Sequence, residues 1–357
     1  MHAMAARNAP PDRREPLIDL FKVFATQIIV LHHLTVYGGI AAALHALAPS
    51  TAGLIFDYGR YVVHGFLAIA GYLAGQTLRT RADNLRPLGM IGRRYVRLIV
   101  PFATAMAFAI FAAWIARFSI HDDYIGDSAT PGQILAHLLL LQDILGIESF
   151  SAGMWYVAID FQLFAFLTLL RFVVRNDTLA AALIGGFVAA ALLHFNRNPN
   201  YDSYFIYFVA SYGLGVLAEI AGYAQVKAAR GLALGLIGVF GLVIGLLTWS
   251  GDSGRALLAL VVTLYLLLAR IRPWRPQPTA LWQATVWASD RSYWVFVLHY
   301  SLVLIANAAY ARLEASNTAH LFTAVVVVCG ASWLMAGALY RHVEIPTQRL
   351  LARRNRN

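Results

Sequence analysis

The sequence is poor in charged residues and in cysteine, and both shortages narrow the class of protein. Charged side chains make up 13% of the 357 residues, about half their usual share in soluble domains, whereas apolar side chains make up 59%. These values exclude a soluble globular fold, a disordered chain and a nucleic-acid-binding domain, although the net charge is +10. The single cysteine, Cys329, has no partner for an intramolecular disulfide, which excludes a disulfide-rich secreted module.

Motifs of several common enzyme classes are missing as well. The sequence has no glycine-rich phosphate-binding loop, no cluster of metal ligands at a recognised spacing and no Gly-x-Ser-x-Gly motif. We therefore expect no metal site, and nothing in the sequence indicates a covalent mechanism through serine.

The sequence consists instead of long apolar runs. A membrane-spanning helix needs about 20 mostly apolar residues. Runs of this kind predict helices at residues 17–38, 56–78, 94–116, 154–174, 179–195, 203–222, 231–249, 256–270, 285–310 and 320–340. A further run at residues 134–147 is too short to span and predicts a re-entrant or interfacial segment. The predicted fold class is an all-α polytopic membrane protein with about ten transmembrane helices.

The basic residues predict the orientation of these helices. With the N-terminus in the cytoplasm, 21 of the 28 Lys and Arg residues fall in inner segments and five in outer segments. We therefore expect a cytoplasmic tail at residues 1–16, a transmembrane domain at 17–342 and a basic cytoplasmic tail at 343–357. The first apolar run ends in His32 and His33 and not in a small-residue cleavage site, which predicts a retained span and not a signal peptide.

Polar residues on one face of the first predicted helix mark a candidate site. Asp19, Lys22 and His33 follow helical spacing, and Lys22 and His33 lie about 16 Å apart along the axis. Histidine suits the role of general base towards a hydroxyl near neutral pH. His32 points about 100° away from His33, and the spacing from Lys22 favours His33. The alternative is that Lys22 extends to the interface and a histidine only bonds another helix.

An arginine cluster opens the third predicted helix. Arg93, Arg94 and Arg97 fit the excess of basic residues on the inner side, and their guanidinium groups also suit the phosphates of a cytosolic ligand. Later in the chain, His299 lies inside an apolar helix.

Aromatic and acidic residues open the fourth predicted helix. Trp155 and Tyr156 are typical of a membrane interface, whereas Asp160 and Gln162 enter the apolar run. A buried aspartate within a span is costly and often functional. At the end of the last span, Glu344 and Pro346 are expected to fix the end of the helix.

Taken in order, these pieces resemble the acyltransferase-3 family of integral-membrane O-acyltransferases. Five motifs over nearly the full length carry the resemblance. They are Asp19 with Lys22 and His33, Arg93-Arg94-Tyr95-Val96-Arg97 with Pro101, Trp155-Tyr156 through Asp160 to Gln162, Ser292-Tyr293 with His299, and Glu344-x-Pro346.

The resemblance implies transfer of an acyl group from cytosolic acyl-CoA to a hydroxyl of a glycan or similar acceptor. Acetyl-CoA is the expected donor and succinyl-CoA the alternative, and the expected location is the bacterial inner membrane. Membrane lipid is an expected partner, and a homodimer or a protein of the same glycan pathway are further candidates. The residue roles implied are a general base (His33) aided by Asp160 or His299, a CoA-binding set (Lys22, Arg93, Arg94, Arg97), an acceptor-binding set (Trp155, Tyr156, Gln162) and a structural set (Asp19, Glu344, Pro346).

Two other classes of protein fit the composition. A transporter or flippase for an anionic or glycan substrate also needs many helices, buried ionisable groups and basic inner loops, and it predicts repeats of broken helices, which the sequence does not show. A structural membrane subunit that positions a separate glycan enzyme is the third alternative.

Overall fold

The structure, a computed structural model, describes residues 14–81, 86–120, 122–250, 254–313 and 317–354. Within these ranges the chain forms α-helices joined by short 3₁₀ turns and loops, and no strand. Most of the predicted N-terminal tail, residues 1–13, and the last three residues of the predicted C-terminal tail lie outside the described residues.

The helices follow one another with short connections. They are α1 (Pro16–Val36), α2 (Gly38–Leu47), α3 (Pro49–Tyr58), α4 (Val62–Arg79), α5 (Pro87–Ala116), α6 (Pro131–Leu138), α7 (Met154–Val173), α8 (Asp177–Leu193), α9 (Phe205–Tyr223), α10 (Lys227–Trp249), α11 (Gly254–Ile271), α12 (Ala280–Tyr310), α13 (Thr318–Leu339) and α14 (Ile345–Arg354).

Nine helices in the described ranges are long and apolar enough to cross a membrane, namely α1, α5 and α7 to α13. The remaining predicted segment, residues 56–78, overlaps α4, an 18-residue helix whose His64, Gln76 and Arg79 lower its hydropathy. The prediction of an all-α polytopic membrane protein is confirmed.

The connections between the spans contain structure that the apolar runs do not predict. Two short helices, α2 and α3, join α1 to α4. The run at residues 134–147 forms the eight-residue α6 followed by turns, so it does not span, as expected. In the turn after α6, Leu140 adopts a positive φ of 56°, a backbone conformation that is strained for a bulky residue.

Helices α4 and α9 form the closely packed centre of the bundle. Glycines allow this approach, because an added Cβ at Gly71 would lie 2.0 Å from the carbonyl oxygen of Tyr212, and one at Gly215 would lie 1.8 Å from that of Ala68. Nearly all of α9 is buried, whereas α10 and α13 expose most of their surface, as peripheral helices facing lipid would.

Ends of helices that the sequence predicts to be cytoplasmic meet at one end of the bundle. Arg79 at the end of α4 forms an ion pair with Glu219 of α9, at 2.5 Å between Nε and Oε1. The ring of Tyr223 lies between two guanidinium groups, 4.5 Å from that of Arg79 and 4.9 Å from that of Arg270 at the end of α11. The grouping of these ends agrees with the alternation read from the sequence.

The last span does not simply stop after residue 340. A π-helical turn, Tyr340–Glu344, joins α13 to α14. Pro346 has no N–H to offer the carbonyl of His342, which is one reason why the regular hydrogen-bond pattern is interrupted just before it. Glu344 and Pro346 therefore do not end the helix as expected: it continues through the π turn into α14, and Glu344 lines a cavity of the bundle.

Candidate active site

A cavity of about 380 Å³ lies between α1, α4, α5, α7, α12 and the turn that precedes α14. Its lining combines ionisable side chains with aromatic and aliphatic ones, which is typical of ligand sites. Three of the predicted CoA-binding residues, Lys22, Arg94 and Arg97, line it, whereas Arg93 is exposed and lies outside the lining.

The three cations of the cavity differ in their partners. Nη2 of Arg94 lies 2.5 Å from Oδ2 of the buried Asp160, so this pair is internally neutralised. Among the described residues, Lys22 and Arg97 form no ion pair and no hydrogen bond. Unpaired cations facing a cavity favour an anionic ligand there.

Acidic residues at the same end of the cavity are held by neighbouring helices. Ser289 of α12 donates to Oδ1 of Asp19 at 2.5 Å, and Arg14 forms an ion pair with Asp290 at 2.7 Å. These contacts tie the start of α1 to α12 and support the structural role predicted for Asp19.

Glu344 lies in the cavity wall and is also hydrogen-bonded. The indole N–H of Trp294 donates to its Oε2 at 2.9 Å, and the amide of Gln348 donates to its Oε1 at 2.8 Å. Glu344 therefore connects the π turn to α12 while facing the cavity.

Two buried histidines from different helices meet in the middle of the bundle. Nδ1 of His33 on α1 lies 3.1 Å from Nε2 of His299 on α12, and the ring centroids are 4.8 Å apart. The other nitrogen of His299, Nδ1, lies 3.1 Å from the carbonyl oxygen of Val295. His32 instead places its Nδ1 3.2 Å from the carbonyl oxygen of Ile55 on α3.

The partners of His299 assign the protons of the pair. A carbonyl oxygen only accepts, so in a neutral ring Nδ1 of His299 carries the proton that is donated to Val295. Nε2 of His299 is then bare and accepts from Nδ1–H of His33. The second nitrogen of His33, Nε2, is left with a free lone pair, which is the form that a general base requires.

Three aromatic rings of the cavity lining pack together, and one of them neighbours the histidine pair. Phe66, Tyr156 and Phe296, here called the aromatic wall, all line the cavity, with centroids 5.0 to 6.4 Å apart. The ring of Phe296 lies 6.1 Å from that of His299, whereas neither His33 nor His299 belongs to the cavity lining. Phe296 therefore borders both the cavity and the histidine pair.

Tyrosines cover the histidine pair from the opposite side. The ring of His33 lies 5.6 Å from that of Tyr37 and 6.4 Å from that of Tyr300, and the Tyr300 hydroxyl donates to the carbonyl of Tyr124 at 2.5 Å. Asn307 fixes the start of α2 by accepting from the N–H of Ile40 at 3.0 Å. His33 thus lies between an aromatic wall and a tyrosine cluster.

The remaining predicted acceptor residues lie apart from the cavity. Trp155 stacks on Phe208 with centroids 5.2 Å apart, and Oε1 of Gln162 accepts from the N–H of Phe205 at the start of α9, at 3.0 Å. Of the predicted acceptor-binding set, Tyr156 lines the cavity and Trp155 and Gln162 do not.

Comparison with known families decides the class of enzyme. A family model described as an acyltransferase domain, that of acyltransferase family 3, matches residues 16–337.

The chain belongs to the acyltransferase-3 family.

It is therefore a multi-pass membrane protein of an acyl-transferring family. No curated protein and no solved structure matches the chain. The match begins at the first residue of α1 and ends within the last turn of α13, so it includes both histidines, the arginine cluster and Asp160.

Sequence reasoning named Ser292 and His299 of this candidate site but missed Ser289 and Phe296, which a helical pattern could have revealed. Ser289, Ser292, Phe296 and His299 lie at spacings of three, four and three residues, so they share one face of α12. Three of them line the cavity and the fourth contacts His33. No comparable signal identifies Phe66, whose role depends on packing between α4, α7 and α12.

Proposed function

We propose that this acyltransferase moves an acyl group, acetyl or succinyl, from cytosolic acyl-CoA to a hydroxyl of a glycan or similar acceptor at the bacterial inner membrane. Membership of the family supports acyl transfer, and the cations Lys22 and Arg97 in the cavity lining support a donor that carries anionic groups. The contact between His33 and His299 carries the proposal, because it leaves a basic nitrogen in a buried site.

The donor would bind in the cavity with its phosphates at the cytoplasmic end. Lys22 and Arg97 face the cavity without an ion pair among the described residues, and they would neutralise phosphate charge. Arg93, which is exposed and directly precedes Arg94 in the sequence, would act at the entrance of the cavity. The pantetheine arm would then run along α1 towards the aromatic wall, which must open for the thioester to reach His33.

The proposed transfer needs no covalent enzyme intermediate. Nε2 of His33 takes the proton of the acceptor hydroxyl while its oxygen attacks the thioester carbonyl. The new C–O bond forms, the C–S bond breaks, and the thiolate of CoA takes the proton back from His33. His299 would hold the His33 ring by accepting from Nδ1–H throughout, and Asp160, paired with Arg94, would shape the cavity without touching His33.

The test is thiol release from acetyl-CoA and succinyl-CoA by detergent-purified protein, with water as the acceptor. His33→Ala should reduce release by at least about 100-fold while CoA binding stays near the wild-type value. His32→Ala is the matched control, because His32 bonds α3 and not His299, and it should retain most of the activity.

Two results would contradict the proposal. Full activity of His33→Ala would show that His33 is not the general base. If the wild-type protein neither binds nor cleaves either acyl-CoA, then acyl-CoA is not the donor. Substrate flux across the membrane without an acyl product would then favour the transporter alternative.

A further inference from the structure

The hydroxyl of Thr26 on α1 is buried, and no other described residue forms a hydrogen bond with it. Thr26 is 0% exposed, its Oγ1 has no partner within the described ranges, and the residue lines the cavity. Threonine and serine within a helix usually donate to the carbonyl four residues earlier. That bond is made by Thr77, Thr104, Thr168, Thr248, Thr263, Thr285, Ser332 and Thr347. Thr26 lacks this bond, as does the buried Ser301 of α12, but of these two only Thr26 lines the cavity.

The position of Thr26 is defined by the face of α1 that it shares with Lys22 and His33. Four residues after Lys22 and seven before His33, it lies about 6 Å beyond the first and about 10 Å short of the second along the axis. It therefore stands between the unpaired cation at the cytoplasmic end and the histidine pair behind the aromatic wall.

The surroundings of Thr26 favour a neutral polar group over a phosphate. The cavity lining on α4 and α12 contains apolar and aromatic side chains, including Phe66, Ile69, Ala70 and Phe296, and also the hydroxyls of Thr77, Ser289 and Ser292 and the carboxylate of Asp290. Among the described residues these two helices contribute no cation to the lining, so a phosphate would lose its hydration there and meet a carboxylate instead. An amide or thioester carbonyl loses less and can accept the one hydrogen bond that the hydroxyl offers.

We infer that the Thr26 hydroxyl is a binding site for a carbonyl oxygen of the donor's acyl-carrying arm, either a pantetheine amide or the thioester itself. This inference rests on the proposed function, since it takes acyl-CoA as the donor. Thr26 is a positioning residue: by holding the arm at a fixed depth, it sets how far the thioester extends past the aromatic wall towards His33.

Two ligands, one with the arm and one without it, test this inference. CoA carries the pantetheine arm, whereas adenosine 3′,5′-bisphosphate keeps the 3′-phosphate and one 5′-phosphate and lacks both the arm and the phosphate that joins it. In binding assays on the full-length protein, Thr26→Val should weaken CoA binding about five- to tenfold, the size of one hydrogen bond, and leave adenosine 3′,5′-bisphosphate binding unchanged. Valine matches threonine in shape, so the cavity volume stays nearly constant.

Thr263→Val provides the matched control. Thr263 is equally buried, but it donates to the carbonyl of Ala259 on α11 and does not line the cavity. This variant should bind both ligands like the wild type. If Thr26→Val does not fold, Thr26→Ala removes the same hydroxyl with a smaller side chain and should show the same selective loss for CoA.

The possible outcomes separate the two proposals. Equal CoA affinity in the wild type and in the Thr26 variants would overturn the role of Thr26 and leave the proposed function standing, as would an equal loss for both ligands. Failure of the wild type to bind CoA at all would instead overturn the proposed function.

Discussion

At the scale of single residues, His299 determines which nitrogen of His33 is free. Its Nδ1 donates to Val295, so its Nε2 accepts from His33 and leaves Nε2 of His33 bare. A side chain that cannot accept at this point would release the His33 ring to other rotamers and to the other tautomer. The role of His299 is thus positional, since His33 alone would touch the reacting groups.

Replacement of His299 should therefore depend on whether the new side chain accepts a hydrogen bond. His299→Phe keeps the aromatic volume and should lower the rate of thiol release about 100-fold, whereas His299→Gln can accept through its Oε1 and should stay within about tenfold of the wild type. The measurement is kcat and KM for acetyl-CoA, with KM expected to change little. Equal losses in both variants would show that His299 acts only through packing.

The sequence predicts individual polar residues better than it predicts their partners. Helical spacing alone predicts that Lys22 and His33 share one face of α1, and an aspartate such as Asp160 is unusual within an apolar span. Its partner Arg94 comes from another helix, 66 residues away, and the contact of His33 with His299 also joins two helices. Such pairs depend on how the helices pack, which the pattern within one helix does not encode.

At the scale of helices, the contact between α4 and α9 depends on two glycines. Space for a side chain is missing at Gly215, where a Cβ would lie 1.8 Å from the backbone oxygen of Ala68. The oxygen belongs to the backbone of α4 and cannot rotate away as a side chain could, so the helices would have to move apart. Gly215→Ala should therefore lower the thermal transition of the detergent-purified protein or prevent its assembly.

Gly235 on α10 offers the matched control for this prediction. No atom of the described part of the chain lies within 4 Å of a Cβ built there, and α10 is a peripheral helix. Gly235→Ala should leave the protein at least as stable as the wild type, because alanine favours the helix over glycine by about 0.5–1 kcal/mol. A similar loss of stability in both variants, followed by fluorescence or light scattering on heating, would refute the close contact as the cause.

Spans and connections differ in how well the sequence predicts them. Long apolar runs predict the spans because burial in lipid requires them. Long apolar runs do not predict helices α2 and α3 or the π turn, because each of these elements is too short to span a membrane. The π turn depends on the position of Pro346 and on the hydrogen bond of Glu344 with Trp294, which lies 50 residues earlier in the chain.

At the scale of the whole molecule, the orientation decides whether the cavity can receive a cytosolic donor. Lys22 and Arg97 at its mouth lie towards the end of the bundle where α4 and α11 finish, which is the end predicted to be cytoplasmic from the basic residues. An inverted protein would present the same cations to the outside, where acyl-CoA is not available.

Single cysteines at the two ends of the bundle should report this orientation. The background variant is Cys329→Ser, which removes the native cysteine and keeps a polar acceptor for Gln27. The two probes are Ser128→Cys, in the exposed loop before α6, and Gln225→Cys, in the exposed turn between α9 and α10. A membrane-impermeant maleimide should label Ser128→Cys in intact cells and Gln225→Cys only after the membrane is opened. The reverse pattern of labelling would show that the cavity mouth faces away from the cytosol. The proposed route of acyl-CoA along α1 to His33 would then be wrong.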